Sequence, residues 1–257
     1  RQLGGLLLVM KEGRLVEKGE AANLLASPQD PYTRELIAAE PSAWSDIAPQ
    51  IRQANAHDLL VADKLTLERG GRVLFEDLSF TIKRGEVVGI VGDSGCGKSS
   101  LGDALLGLLS ISAGSIVRTN NTAKSFQWLK LYQDPPSAFS SSVSLGQLLN
   151  DLVALHDIDK ARIASLMARL RLPVGILERD CLSVSGGELQ RFAILRALLL
   201  DPVFLFADEP TSRLDPITAK EVTALLVELA TEADCAVLLV SHDPALIQRT
   251  CHQVIAL

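Results

Sequence analysis

Three short apolar runs punctuate the chain, EVVGIV (86–91), PVFLFAD (202–208) and CAVLLVS (235–241), each bounded by polar or turn residues. Helical patterns separate them. Strands covered on both faces read as continuous apolar runs, so this arrangement predicts an α/β fold with a parallel sheet and crossover helices. Residues 217–231 place Val222, Leu225, Leu226 and Leu229 on one stripe, as a helix lying on such a sheet would. Between roughly 140 and 185 the strand signals vanish and LGQLLNDLVALHDIDKARIASLMARLRL turns helical. That predicts an α-helical subdomain, about 136–200, inserted in the α/β domain. Ahead of the first apolar run, LLVADKLTLERGGRVLFEDLSFTIKRGE alternates apolar and polar residues around a Gly-Gly turn, which predicts an antiparallel β subdomain.

The opening of the chain reads differently. LLLVMKEGRLVEKGE is a strand, a turn and a second strand, and ASPQDPYTRELIAAEP is a helix punctuated by prolines. Residues 1–41 therefore read as the end of a domain, 42–56 as a linker with no clear period, and 57–257 as the main domain. At the other end Leu257 falls inside a strand, which would leave one sheet edge uncovered. EGRLVEKG is a candidate partner for that edge, so the expectation is that it folds back and supplies that strand to the same domain, the competing outcome being a loose hairpin and helix.

With 257 residues, 47% of them hydrophobic, the chain can bury a substantial core as one domain plus an appendage or as two small domains. The formal charge of −6 leaves no footprint for nucleic acid. Cys96, Cys181, Cys235 and Cys251 show no CxxC spacing and read as reduced thiols. No apolar run approaches the ~18–20 residues of a membrane span, and RQLGGLLLVM lacks a leader's cleavage site. Any role at a membrane is expected to pass through a partner.

The strongest local signal is GDSGCGKSS, comprising Gly92, Asp93, Ser94, Gly95, Cys96, Gly97, Lys98, Ser99 and Ser100. It fits G-x-x-x-x-G-K-[ST] between a strand and a helix, the context that gives the pattern meaning. Glycines let successive backbone N–H groups turn toward phosphate oxygens, and the helix presents its positive end to the same anion. Lys98 would meet the β- and γ-phosphates and Ser99 would offer its hydroxyl to Mg²⁺. A second signal, FLFADEP, ends a buried strand in Asp208 and Glu209, where one acid can serve the Mg²⁺ shell and another can act as general base on water. In LSVSGGELQRF, Ser185, Gly186 and Gly187 stand at a helix start, with Glu188 following. Such a start is a capped helix or a further anion site, and the latter would suggest two copies sandwiching one nucleotide.

Taken together, these segments resemble the nucleotide-binding domain of ABC transporters. The phosphate loop, the glutamine of YQDPPSAF, VSGGE, FLFADEP, SRLD and VSHD occur in that family's order and spacing, with Gln133 following Gly92 by 41 residues and His242 following Glu209 by 33. The resemblance covers about residues 57–257 and implies a P-loop NTPase of the ABC ATPase type. It implies that Gln133 touches Mg²⁺ and the attacking water, with its loop facing the membrane partner. It also implies that Asp215 communicates across a dimer and that His242 contacts the γ-phosphate. Three positions depart from the family pattern. Arg69 stands where an aromatic residue often stacks on adenine, and a guanidinium can also stack. Val184 and Glu188 alter the LSGGQ pattern while Ser185 and Gly187 remain, and Arg213 stands where alanine is commoner.

Within the family, ASPQDPYTRELIAAEP resembles the segment after the core in ATPases of peptide, opine and nickel importers, and LLLVMKEGRLVEKGE resembles that fold's last hairpin. Residues 1–41 then correspond to the tail of a preceding ATPase, and the main domain lacks its own closing hairpin. The implied function is the ATP-hydrolysing subunit of an importer for a small solute such as a peptide, opine or nickel complex. Its implied partners are a second ABC ATPase domain (fused upstream or separate), transmembrane permease subunits and a solute-binding protein, at the cytoplasmic face of the inner membrane. A soluble ABC ATPase of DNA repair or translation, and a nucleotide-binding but silent half, are the alternatives.

Overall fold

The computed structural model describes residues 4–45, 57–119 and 123–257. Most of the expected linker, 46–56, lies outside them. A five-stranded parallel sheet forms the centre, in the order β10 (Gln253–Ala256), β5 (Val87–Val91), β9 (Ala236–Val240), β8 (Phe204–Asp208) and β7 (Trp128–Leu131). The three apolar runs supply β5, β8 and β9. Their side chains alternate between two cores: Leu205, Ala207, Val237 and Leu239 face one, and Phe204, Phe206, Ala236, Leu238 and Val240 the other. Burial on both faces is why the sequence shows no alternation there.

The second core is closed by an antiparallel sheet of β4 (Arg72–Lys83), β3 (Asp58–Arg69) and β6 (Ala113–Arg118). The first is covered by α7 (Pro216–Ala233) and by helices from the 136–200 stretch, α4 (Leu145–His156), α5 (Ala161–Arg169) and α6 (Gly186–Leu199). Two strands escaped the hydrophobic pattern. β6 is mostly exposed, and β7 has only four residues with Lys130 among them. Lys130 is tolerated because Asp103 pairs with its Nζ at 2.6 Å. None of the described helices is long and apolar enough to cross a membrane.

The amino-terminal segment corrects one expectation. β1 (Leu6–Lys11) and β2 (Arg14–Glu20) pair with each other in a separate two-stranded sheet, and among the described residues β10 pairs with β5 alone. The hairpin does not close the parallel sheet. A side chain ties it to the start of α2 (Pro31–Ala38): Glu17 accepts from the amides of Gln29 and Asp30 at 2.8 and 3.2 Å. Attachment to the main domain comes later in the segment. Trp44, only 5% exposed, belongs to the first core, and its Nε1 donates to the Ala39 carbonyl at 3.1 Å. Lys220 of α7 donates to the Ala38 carbonyl at 2.8 Å. Trp44→Ala should therefore cost roughly 3–5 kcal/mol, the usual range for truncating a buried aromatic. In a chain of this size that amounts to a fall in melting temperature of roughly 6–20 °C, readable by calorimetry. An unchanged melting temperature would mean that the segment is not seated on the domain.

Candidate active site

Parallel register assembles the site. It pairs Asp208 with Val240, Ala207 with Leu131 and Ile90 with Val240, so four strands end along one edge of the sheet. The residues just beyond those ends are Gly92, Gln133, Glu209 and His242. Open α/β sheets present their ligands to this edge.

Beyond β5 the chain turns through Gly92, Gly95 and Gly97 at φ of +151°, +80° and +114°. A side chain at Gly97 would be strained by that φ, and its Cβ would stand 3.1 Å from the Cβ of Leu74. The turn delivers α3 (Lys98–Leu105), which approaches β8 closely because Gly102 has no side chain: a Cβ there would lie 2.1 Å from the Phe206 ring. Lys98 is buried, and its Nζ donates to the carbonyls of Gly92 and Asp93, both at 2.8 Å. The loop thus holds a cation at its own mouth.

Opposite stands Glu209, in the left-handed region at φ +49°. Hydrogen bonds hold its backbone there: its N–H donates to Val240 O at 3.2 Å, and its carbonyl accepts from Gln190 Nε2 at 3.1 Å, Ser212 Oγ at 3.0 Å and Ser212 N at 3.2 Å. Its carboxylate is gripped from two sides, with His242 Nε2 2.7 Å from Oε1 and Gln133 Nε2 donating to Oε2 at 3.1 Å.

A cavity of about 390 Å³ gathers Arg69, Ser94, Gly95, Gly97, Lys98, Ser99, Ser100, Gln133, Asp208, Glu209 and His242. Leu74 completes its wall, a residue the sequence did not single out; it sits on the half-exposed strand β4 and is chosen only by tertiary contact with Gly97. Arg69, whose guanidinium can stack on a base, lines this same cavity, with Nη1 3.5 Å from Ser100 Oγ. Gly92, Asp93 and Cys96 form the loop behind the cavity. Asp208, Ser99 and Gln133 offer a carboxylate, a hydroxyl and an amide in one space, a donor set that suits Mg²⁺, an ion usually held by one or two carboxylates and substrate phosphates.

Ser185, Gly187, Glu188 and Asp215 lie outside this cavity. Ser185 caps α6 in a reciprocal box: its Oγ accepts from Glu188 N at 3.2 Å, and Glu188 Oε2 accepts from Ser185 N at 2.8 Å. Hydrogen bonds from the Ser185 backbone and hydroxyl hold the Glu188 carboxyl below the usual range. A glutamate at this departure from the family pattern is therefore a sound cap. Asp215 caps α7, accepting from Thr218 N at 3.0 Å; burial pushes its carboxyl up, but the bonds from Thr218 outweigh it and leave the carboxyl below its ordinary value. Gln190, 2% exposed, was not anticipated either; a fully buried glutamine in an apolar helix is the one signal that could have marked it.

Residues 75–212 match the family model described as ABC transporter. Over 284 residues the chain is 34% identical to an uncharacterized ABC transporter ATP-binding protein of Escherichia coli K12, covering all of this chain and 53% of that protein. It is 30% identical to a peptidoglycan transport ATP-binding protein of Agrobacterium fabrum, covering 100% of this chain and 51% of that one. The glutathione import ATP-binding protein of E. coli K12 is also 30% identical, over 98% of this chain and 48% of its own length. The chain thus spans about half the length of these curated relatives. Among solved structures, cbiO1 from Clostridium perfringens, part of the cbiONQ ABC transporter complex, superposes with a TM-score of 0.64 at 26% identity, covering 77% of this chain and 84% of that one. A dimeric ATP-binding cassette with bound ADP and phosphate shares the fold at 23% identity and a TM-score of 0.65, covering 77% of this chain and 94% of that one.

Proposed function

The chain belongs to the ABC transporter family, and on that premise we propose that it binds and hydrolyses ATP to drive uptake of a small solute through membrane partners. One observation carries the hydrolytic part: Lys98, Ser99, Asp208, Gln133 and His242 converge on one cavity with Glu209, whose carboxylate is held by two of them. In this reading the loop amides and Lys98 bind the phosphates, and Glu209 takes a proton from the attacking water. His242 and Lys98 offset the charge on the transferred phosphoryl group. Ser99, Asp208 and Gln133 would hold Mg²⁺, which would supply positive charge to the phosphates. Ser185 and Gly187 would meet the γ-phosphate bound by a second ATPase domain, and Asp215 would signal across that pair.

The solute is read as peptide-like, in keeping with relatives whose names specify peptidoglycan transport and glutathione import. A solute-binding protein would deliver it to permease subunits, and this chain would sit at the cytoplasmic face of the inner membrane. Residues 1–41 are read as the tail of an ATPase domain lying upstream in a longer protein. The permease contact is assigned to a groove of about 240 Å³ beside the Gln133 loop, lined by Leu129, Tyr132, Phe139, Ala193, Arg196 and Leu200. It is largely apolar, as a seat for an amphipathic helix would be.

The test is solute-dependent phosphate release from ATP in vesicles carrying the permease pair. Stimulation by loaded binding protein is the expected result, and hydrolysis indifferent to the permease would reject the importer reading. Ala193→Trp, which fills the groove, should lower uptake by at least about tenfold, the loss from spoiling one well-packed interface position. Uptake at the parental rate would place the contact elsewhere.

A further inference from the structure

Arg213 stands in SRLD where the family commonly has alanine, and the structure gives it a task. Its Nη2 pairs with Asp134 Oδ1 at 2.5 Å, and Asp134 directly follows Gln133. Its backbone N–H donates to Gln190 Oε1 at 3.3 Å, and Gln190 Nε2 donates to the Glu209 carbonyl at 3.1 Å. Gln133 closes the circuit on the Glu209 carboxylate at 3.1 Å. Starting at Glu209 one can pass through Gln190, Arg213, Asp134 and Gln133 and return to Glu209. The Arg213 side chain also runs along the start of α6, where a Cβ on Gly186 would lie 3.4 Å from its Cδ.

We propose that Arg213 is a positioning residue that ties the Gln133–Asp134 loop to the backbone of Glu209. Two different routes then fix Glu209, one from its carboxylate and one from its carbonyl, and both end on the same two-residue stretch of loop. Displacing that loop moves Gln133 away from the carboxylate and, through Asp134, pulls Arg213 against Gln190. Neither side chain of the ion pair is buried (42% and 58% exposed), so the tie is a weak one that a modest force on the loop can open. The same guanidinium passes the motion to Gly186, ahead of the capped start of α6. An alanine at this position would keep the Gln133 bond to the Glu209 carboxylate but lose the side-chain tie from Asp134 to the backbone beside Gln190.

The catalytic consequence rests on the ATPase reading; the tie itself does not, so the two are tested separately. Amide hydrogen exchange on the full chain without nucleotide reads the tie. Arg213→Ala and Asp134→Ala should each raise exchange about two- to fivefold at the amides of 132–134 and of 211–214, the size expected for losing an exposed ion pair. The charge-reversed double variant Asp134→Arg with Arg213→Asp should restore protection, and Arg213→Lys should restore part of it. Exchange in 132–134 that ignores Arg213→Ala overturns the proposal whatever the hydrolysis rate. In steady-state hydrolysis Arg213→Ala should lower kcat by about the same two- to fivefold with KM unchanged, again recovered in the reversed pair. A kcat unaffected by Arg213→Ala, in a chain whose Glu209→Gln variant has lost turnover, overturns the catalytic consequence. Absence of turnover in the wild type sinks the ATPase reading and the catalytic consequence with it, while the exchange result stands or falls alone.

Discussion

Glu209→Gln should retain ATP binding and slow phosphate release by ~10²–10⁴-fold, the usual worth of a general base. The substitution isolates proton acceptance because so much else stays constant. Glutamine has the same length, and at φ +49° it carries the same backbone strain as glutamate. The bonds from Gln190 and Ser212 go to the main-chain carbonyl and are indifferent to the side chain. What changes is the acceptor set: two carboxylate oxygens now facing His242 and Gln133 become one oxygen and one amide, which cannot take a proton from water. Calorimetry with ATP and single-turnover phosphate release on the same preparation separate the two effects. Parental turnover would place the base elsewhere, and lost ATP affinity would mean that Glu209 shapes the pocket more than it serves the chemistry.

How far the site could be read before the fold was known depended on whether a residue's task is local. The phosphate loop is local: glycines, a lysine and a serine lie between one strand and one helix, and the conformations they need are written in adjacent positions. β5, β8 and β9 were legible because a strand buried on both faces cannot hide its composition. β7 was not, since Lys130 interrupts it and Asp103, 27 residues earlier, makes that charge acceptable. Leu74 and Gln190 acquire their roles from contacts with Gly97 and Glu209, which no periodicity encodes. Arg213 had no reading at all until the fold set it beside Asp134, 79 positions away. The hairpin itself was legible as strand, turn and strand, and β1 does pair with β2; its fold-back onto β10 was not, because pairing is chosen by proximity and β1 is nearer to β2 than β10 is.

Lys98→Ala should weaken ATP binding by roughly 10–10²-fold, taking about 1.5–3 kcal/mol for a hydrogen bond to a charged group and about 1.4 kcal/mol per decade of affinity. In the proposed reading Lys98 is the cation that the glycine-rich loop offers the phosphates, and it is buried where the loop meets α3. Its ammonium already donates to the carbonyls of Gly92 and Asp93, so two effects of its removal must be told apart. One is loss of a charge that attracts phosphate. The other is loss of a clamp that keeps the loop in shape, since both carbonyls lose their lysine donor. Adenosine separates them, because it presents the base and ribose without any phosphate. If the charge is what matters, adenosine affinity and the melting temperature of the nucleotide-free protein should stay near the parental values while ATP affinity falls. If the clamp dominates, the melting temperature should fall as well. Magnesium-free titrations add a further check, since the contact between Lys98 and phosphate does not pass through the metal. ATP affinity that survives Lys98→Ala undiminished would remove the phosphate-binding assignment from this loop and, with it, the premise on which Glu209 is read as a catalytic base.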